Sequence, residues 1–274
     1  MQTELKMAFI GGGNMAQALI GGLAGKLVPA SHIHVVDVMP DTLGRVHERF
    51  GATTATEPTD ALTGCDVIVL AVKPQQLREV VVTLKPFLNS QLVLSIAAGI
   101  RAADISRWLG GHQAIVRTMP NTPALIGRGI TGAYAMSGVS DLQRQNADAL
   151  LRAVGETVWV RDESQIDAVT AISGSGPAYV FYFIGAMQQA ATELGLSADQ
   201  GRQLAQATFA GAAALASQSD EPVSILRERV TSKGGTTYAA LTSMEASGVK
   251  AALVKALHAA ADRGRELGEE YGKD

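Results

Sequence analysis

The chemistry this chain can do is concentrated in two glycine-bearing stretches. The first is Phe9-Ile10-Gly11-Gly12-Gly13-Asn14-Met15-Ala16, which reads G-x-G-x-x-A with Gly11, Gly13 and Ala16 in the marked places. In such a loop the first glycine permits a tight turn and the second lets the backbone approach a pyrophosphate. The small third residue lets the following helix pack closely on a sheet. Phosphates would sit on free N–H groups at the helix start, favoured by the helix dipole. A tight turn without a ligand would use the same residues. The β-type run before the loop and the helical pattern after it favour dinucleotide binding. The second stretch is Val230-Thr231-Ser232-Lys233-Gly234-Gly235-Thr236-Thr237-Tyr238-Ala239-Ala240-Leu241. Two glycines precede two threonines at a helix start, which offers backbone N–H groups to a carboxylate. An ordinary N-cap by Thr236 or Thr237 fits the same residues, and composition does not separate the two.

Other kinds of chemistry lack their residues. The histidines are His32, His34, His47, His112 and His258, none paired at metal-ligand spacing on a helix, and the lone Cys65 joins none of them. There is no G-x-S-x-G elbow. Ser173-Gly174-Ser175-Gly176-Pro177 resembles one only loosely. A metal site and a hydrolase are both disfavoured. Any mechanism must work without a conspicuous acid or base.

Three strand ends supply further candidates. Asp37 stands where an acidic residue would bond the ribose hydroxyls of NAD, and its charge would repel a 2′-phosphate. On charge alone this favours NADH; a solvated aspartate at a strand end is the plain alternative. Ala71-Val72-Lys73-Pro74 closes another strand on the edge where open α/β sheets bind ligands. Lys73 there is either a contact to cofactor ribose or phosphate, or an exposed loop lysine. Ile96-Ala97-Ala98-Gly99 ends a further strand. Its small residues leave room for a nicotinamide ring or for close helix packing.

The elements that must carry these residues follow from pattern. Candidate strands span 7–10, 33–36, 67–72, 92–96 and 115–119, with helical stretches at 15–23, 41–50, 77–84 and 103–109. This alternation predicts a Rossmann-type doubly wound parallel sheet, and the wholly apolar 67–72 run fits a strand covered on both faces. A hairpin-like pair at 132–136 and 157–160 flanks a helix near 142–153. Beyond it the chain reads as all-helical, with segments at 166–172, 178–194, 198–218, 236–247 and 249–270. Ser197 and Gln200 form a capping box. The 178–194 helix is apolar nearly all round, so it is expected to be buried on every side. In so small a domain that implies burial against a second copy, hence a homodimer or a larger assembly of dimers. The domain boundary is placed at Arg161–Ser164, giving a dinucleotide-binding domain over 1–161 and an all-helical domain over 162–274.

Composition sets outer limits. The chain has 274 residues, 47% hydrophobic and 18% charged, with a net charge of -3. That excludes disorder as the main state, and with only 5% aromatics it offers neither the basic excess nor the stacking surface of a nucleic-acid binder. One cysteine fits a reducing compartment. No apolar run is long enough to span a membrane, and Met1-Gln2-Thr3-Glu4-Leu5-Lys6 lacks the form of a secretory leader. A cytoplasmic protein is expected.

Taken together, the chain resembles the pyrroline-5-carboxylate reductases over nearly its full length. The resemblance rests on the first glycine loop, Ala71-Val72-Lys73-Pro74, Met119-Pro120-Asn121-Thr122-Pro123-Ala124, Ser173-Gly174-Ser175-Gly176-Pro177-Ala178-Tyr179 and the 230–241 stretch. The last of these is the specific one. The resemblance implies hydride transfer from reduced nicotinamide to the imine carbon of 1-pyrroline-5-carboxylate, giving L-proline. It implies that Ile10, Gly11, Gly12, Gly13, Asn14 and Met15 line the pyrophosphate site, with Ala71, Val72, Lys73, Pro74, Ala97 and Ala98 on the ribose and nicotinamide side. Gly235, Thr236 and Thr237 would hold the substrate carboxylate on N–H groups, and the Thr237 hydroxyl would reach the ring nitrogen. The helical domain would be the dimerisation domain, with dimers often assembled into decamers and the partner's helices contributing to the site. Three positions depart from the pattern. Lys233 replaces a proline common before the two glycines. Pro58 stands where many members have an asparagine near the adenosine. Asp37, with Val36 before it, lacks the hydroxyl and basic residues that receive a 2′-phosphate in many members. The family mostly prefers NADPH, so NADP is expected first and NAD kept open. A β-hydroxyacid dehydrogenase is the neighbouring reading, but Gly174-Ser175-Gly176-Pro177-Ala178-Tyr179-Val180-Phe181 supplies no lysine for it. A non-catalytic NADP(H)-binding sensor would need no second anion cradle at Gly234–Thr237.

Overall fold

The structure is a computed structural model that describes residues 3–273; the first two residues of the segment read above for a leader lie outside it. The chain divides into two compact units. One runs to Ser175 and takes up the chain again from Ala260; the other is Gly176–Ala259.

In the first unit, eight strands among the described residues form one sheet. They are β1 (Met7–Ile10), β2 (Ile33–Val36), β3 (Thr53–Ala55), β4 (Val67–Leu70), β5 (Leu92–Ser95), β6 (Ile115–Met119), β7 (Gly129–Ala135) and β8 (Gly155–Trp159), in the order β3-β2-β1-β4-β5-β6-β7-β8. β1 pairs in parallel with both β2 and β4, which makes their carboxyl ends the switch point of the sheet. Alternation along the central strands feeds two cores. Met7, Phe9, Val67, Val69, Leu92 and Leu94 point to one face; Ala8, Ile10, Ile68, Leu70 and Val93 point to the other. With both faces covered, β1, β4 and β5 are buried at every residue, the condition under which strands become continuously apolar.

The crossover helices are α1 (Asn14–Leu23), α2 (Pro40–Phe50), α3 (Pro74–Leu84), α4 (Ala102–Trp108) and α5 (Asp141–Arg152). Pro40 and Pro74 open their helices at positions whose N–H would have no helical partner. Gly51, at φ 71°, closes α2 in the left-handed region. The α/β plan is the expected one. The hairpin-like pair is corrected: β7 and β8 are parallel, joined by α5, and the antiparallel partner of β7 is β6. A helix between two strands makes a crossover, since a hairpin needs a short turn. β3 was not anticipated; three residues carry too little periodicity to read.

The first unit continues past β8 into α6 (Gln165–Val169) and a π-type turn over Thr170–Gly174. The unit therefore reaches Ser175, beyond the boundary expected at 161/162. Arg117 on β6 is the physical reason. Only 3% exposed, it donates to Glu163 Oε1 at 3.1 Å and to Asp167 Oδ1 at 3.4 Å. Glu163 Oε1 also accepts from the Ala102 N–H at 2.6 Å. These bonds tie the expected linker into the sheet domain.

The second unit holds α7 (Gly176–Glu193), α8 (Ala198–Ser217), α9 (Val223–Arg229), α10 (Thr236–Ala246) and the first turns of α11 (Val249–Tyr271). The Ser197–Gln200 capping box is present at the start of α8. α9 was missed; seven residues are too few for a helical period to show. The 178–194 helix, expected to be covered by a second copy, is not covered within the single chain. No residue of α7 is buried, and Phe181 and Tyr182 are 66% and 76% exposed. α7 lies against α8, where a Cβ at Gly201 would come within 2.9 Å of Ala191 Cβ, but one partner cannot cover a helix that is apolar all round.

The last turns of α11 return to the first unit. Leu267 Cβ lies 3.0 Å from where a Cβ on Gly99 would stand, and a Cβ on Gly268 would meet Gly99 O at 3.2 Å. Gln75 Nε2 donates to the Tyr271 hydroxyl at 2.8 Å, and Arg107 donates to Gly272 O at 2.7 Å.

Removing Arg117 leaves Glu163 and Asp167 without their buried cation. Arg117→Met is expected to lower unfolding free energy by roughly 3 kcal/mol, the low end for breaking a buried ion pair, because both carboxylates keep some solvent. Urea denaturation with a midpoint within error of wild type would refute the clasp.

Candidate functional site

Ile10, buried at 2% exposure, ends β1 and delivers the chain to the glycine turn. Gly11 has φ +102°, and a Cβ on it would stand 2.7 Å from Ala71 O. Both facts demand glycine. Gly13 is different. Its φ of -67° suits any residue, and a Cβ there would meet nothing within 4 Å. The space above Gly13 is open to a ligand. Gly13 is the N-cap of α1, with no side chain bonded to that helix end and no acid in its first turn. The first N–H groups of α1 thus lack the usual side-chain acceptor.

A cleft of ≈ 390 Å³ at the amino ends of β4 and β5 and one of ≈ 300 Å³ beside α1 lie away from the switch point. The cleft at the switch point is larger, ≈ 640 Å³, and is lined by Ile10, Gly11, Gly13, Asp37, Ala71, Val72 and Lys73 from the candidates above. Gly12 reaches it through Asp37, whose Oδ2 accepts the Gly12 N–H at 2.7 Å. Asp37 Oδ1 accepts the Met39 N–H at 2.9 Å. Asn14 lines the smaller cleft on the other side of α1. Met15 packs against the core, Pro74 opens α3, and Ala97 is buried. These three and Ala98 do not line the large cleft. Reasoning from sequence missed Val38, Met39, Glu57, Gln76, Glu79 and Thr83, which do line it. Gln76, Glu79 and Thr83 share a helical face of α3 opposite Leu77, Val81 and Leu84, a signal present in their spacing. Glu57 follows the unread β3 and had none.

The residues present fit a dinucleotide. The open space over Gly13, the uncapped start of α1 and the carboxylate beside the β2 end match diphosphate and ribose in turn.

The second cradle is in the other unit. Gly234 takes φ +75°, and Gly235 is the N-cap of α10 with ψ 178°. No side chain caps this helix, and its first turn carries no acid. Neither Thr236 nor Thr237 is the cap, so the ordinary N-cap reading of these threonines does not hold. Thr236 is exposed and Thr237 half-buried.

Shifted side chains lie elsewhere. Burial holds the Cys65 thiol up at about 11, aided by Asp66, so no activated thiolate is present. Burial lowers His34. Among the described residues no group of three His, Cys, Asp or Glu side chains could hold a metal ion. No described helix is long and apolar enough to cross a membrane.

The family model described as pyrroline-5-carboxylate reductase dimerisation matches residues 163–267. A second, described as NADP oxidoreductase coenzyme F420-dependent, matches residues 6–99. The pyrroline-5-carboxylate reductase of Pseudomonas aeruginosa is 45% identical over 269 residues, covering 98% of both chains. The chain belongs to the pyrroline-5-carboxylate reductase family. Its relative from Haemophilus influenzae is 42% identical over 97% of this chain and 98% of its own. A solved pyrroline-5-carboxylate reductase from Coxiella burnetii superposes with a TM-score of 0.91 at 39% identity, covering 97% of this chain and 99% of its own. A Plasmodium falciparum pyrroline carboxylate reductase, solved with NADP bound, gives 0.87 at 29% identity, covering 98% and 100%.

The two glycines of the first loop should separate by experiment. Gly13→Val is expected to fold with only a small drop in Tm, from its poorer N-cap preference, and to lose nicotinamide-dinucleotide affinity at least tenfold, because its side chain enters open space above the α1 N–H groups. Gly11→Ala is expected to lower Tm as well, by strain at positive φ and the Ala71 carbonyl. Thermal melts with calorimetric titration of NAD+ and NADP+ check both; unaltered affinity in Gly13→Val would remove the diphosphate from this loop.

Proposed function

We propose that this chain reduces 1-pyrroline-5-carboxylate to L-proline with NADPH or NADH, the last step of proline biosynthesis. The observation that carries the reading is the bare start of α10 at Gly235, in a family whose members are named for this substrate. The dinucleotide supplies the hydride. The chain's own residues bind and orient. Gly11 makes the turn, its own N–H held by Val36 O at 2.7 Å, and Gly13 lets the diphosphate reach the free N–H groups at the start of α1. Asp37 takes the adenosine ribose and Lys73 a ribose or phosphate. Small residues at Ala97 and Ala98 leave room beside the nicotinamide.

The substrate carboxylate binds the N–H groups after Gly235, where the helix dipole adds about 0.3–1 kcal/mol. Thr236 and Thr237 stand beside it. The Thr237 hydroxyl oxygen accepts a hydrogen bond from the protonated ring nitrogen, which keeps that proton as the adjacent carbon takes the hydride and the C=N double bond becomes single. An imine so held is already electrophilic. Proximity, orientation and preorganised donors then carry catalysis without a histidine or a metal.

The active form is a homodimer through the helical region, supported by the dimerisation model over 163–267 and by the uncovered apolar surface of α7 at Phe181 and Tyr182. Dimers assemble further into a decamer. The domain division at 161/162 is retained as a division of roles, and the enzyme acts in the cytoplasm, in keeping with its single cysteine.

Activity is read as loss of nicotinamide absorbance with 1-pyrroline-5-carboxylate. Thr237→Ala is expected to lower kcat/KM by about 10- to 100-fold, the worth of a hydrogen bond to a charged group, while Thr237→Ser restores most of it. Wild type that binds nucleotide and leaves it unoxidised in the presence of the imine would overturn the proposal and favour a sensor.

A further inference from the structure

Given the reductase reading above, we infer that the cleft selects against a 2′-phosphate, so that this chain binds NADH in preference to NADPH, with Asp37, Glu57 and Glu79 as the discriminating residues. The end of β2 is where an open α/β sheet receives the adenosine ribose. Asp37 is the first residue beyond that strand. Its two oxygens each accept one main-chain N–H, from Gly12 at 2.7 Å and Met39 at 2.9 Å. An ionised carboxylate has about four lone-pair positions, so each oxygen keeps one free. That is the pattern a vicinal diol satisfies, one hydroxyl donating to each oxygen. A phosphate ester has no proton to donate there at neutral pH and brings nearly two negative charges of its own.

Asp37 cannot turn away from that charge cheaply. Rotating it would leave the N–H groups of Gly12 and Met39 without their acceptor, and Gly12 belongs to the loop that must hold the diphosphate. The other acids of the cleft add to that charge. Glu57, beyond β3, and Glu79, on α3, line it together with Asp37. Among the described residues lining the cleft, Lys73 is the one cation. It follows Ala71 and Val72, which abut Gly11, and so belongs with the diphosphate turn. Arg45, the nearest arginine along the chain, donates to Thr42 Oγ1 at 3.1 Å and does not line the cleft. The family model over 6–99 carries NADP in its name and the Plasmodium falciparum structure was solved with NADP bound; the acids of this cleft favour the other cofactor.

The test uses the ligand-free full-length protein and calorimetric titration of two pairs that differ only in the 2′-phosphate: NAD+ against NADP+, and 5′-AMP against 2′,5′-ADP. The phosphorylated member of each pair is expected to bind at least tenfold more weakly. Equal or tighter binding of NADP+ and 2′,5′-ADP would overturn the inference and leave the reductase reading intact. Failure of all four to bind would instead remove the cofactor from this cleft. Glu57→Gln with Glu79→Gln, which disturbs none of the loop's hydrogen bonds, is expected to narrow the NAD+/NADP+ ratio several-fold, NADP+ affinity rising more than that of NAD+. Asp37→Asn, which keeps an acceptor for one N–H, is expected to weaken NAD+ and strengthen NADP+. Ratios unmoved in both variants would show that these carboxylates do not discriminate.

Discussion

An α-helix starts with N–H groups that no residue of the helix can satisfy. Most helices meet that need with a serine, threonine, asparagine or aspartate side chain, as α5 does through Ser140 and α8 through Ser197. α1 and α10 do not. Each begins at a glycine in extended backbone, Gly13 and Gly235, without a side-chain cap and without an acid in the first turn. An uncapped start forgoes about 1 kcal/mol of helix stability. Two such starts in one chain each come just after a glycine at positive φ in the same loop, and in the proposed function an anionic ligand takes at each the role a side chain has elsewhere. The proposed reaction needs two anions held, a diphosphate and a carboxylate.

Much of this was legible in the residues. β1, β2 and β6 begin and end where apolar runs meet turns, and buried strands lose their polar face, so their composition announces them. The Ser197 box is a local motif read without tertiary knowledge. What failed to show had a physical reason each time. β3 and α9 are shorter than the period needed to recognise them. The parallel pairing of β7 with β8 depends on where α5 packs, which no local pattern records. Glu57 and Glu79 enter the cleft only because the chain folds them beside Asp37. The threonines at 236 and 237 looked like caps because cap preference belongs to residue type, whereas the backbone angles put the cap one residue earlier, at Gly235.

The join between the two units was the least legible feature. Composition shifts near Arg161, and the dimerisation model begins at 163, so sequence history and compactness divide the chain at different places. Arg117 explains the offset. A buried guanidinium needs its carboxylates, and those it uses come from the far side of the apparent boundary.

The return of α11 carries a further implication for dissecting the protein. The first unit is discontinuous: Leu267, Gly268 and Tyr271 sit against Gly99, Arg101 and Gln75, and Tyr271 belongs to the core that includes Ile100 and Ile105. A fragment cut at residue 175 would therefore bare apolar surface around α4 and forfeit the Gln75 bond. An autonomous nucleotide-binding module would have to be assembled from two pieces, by splicing residues 260–272 back onto the excised sheet domain.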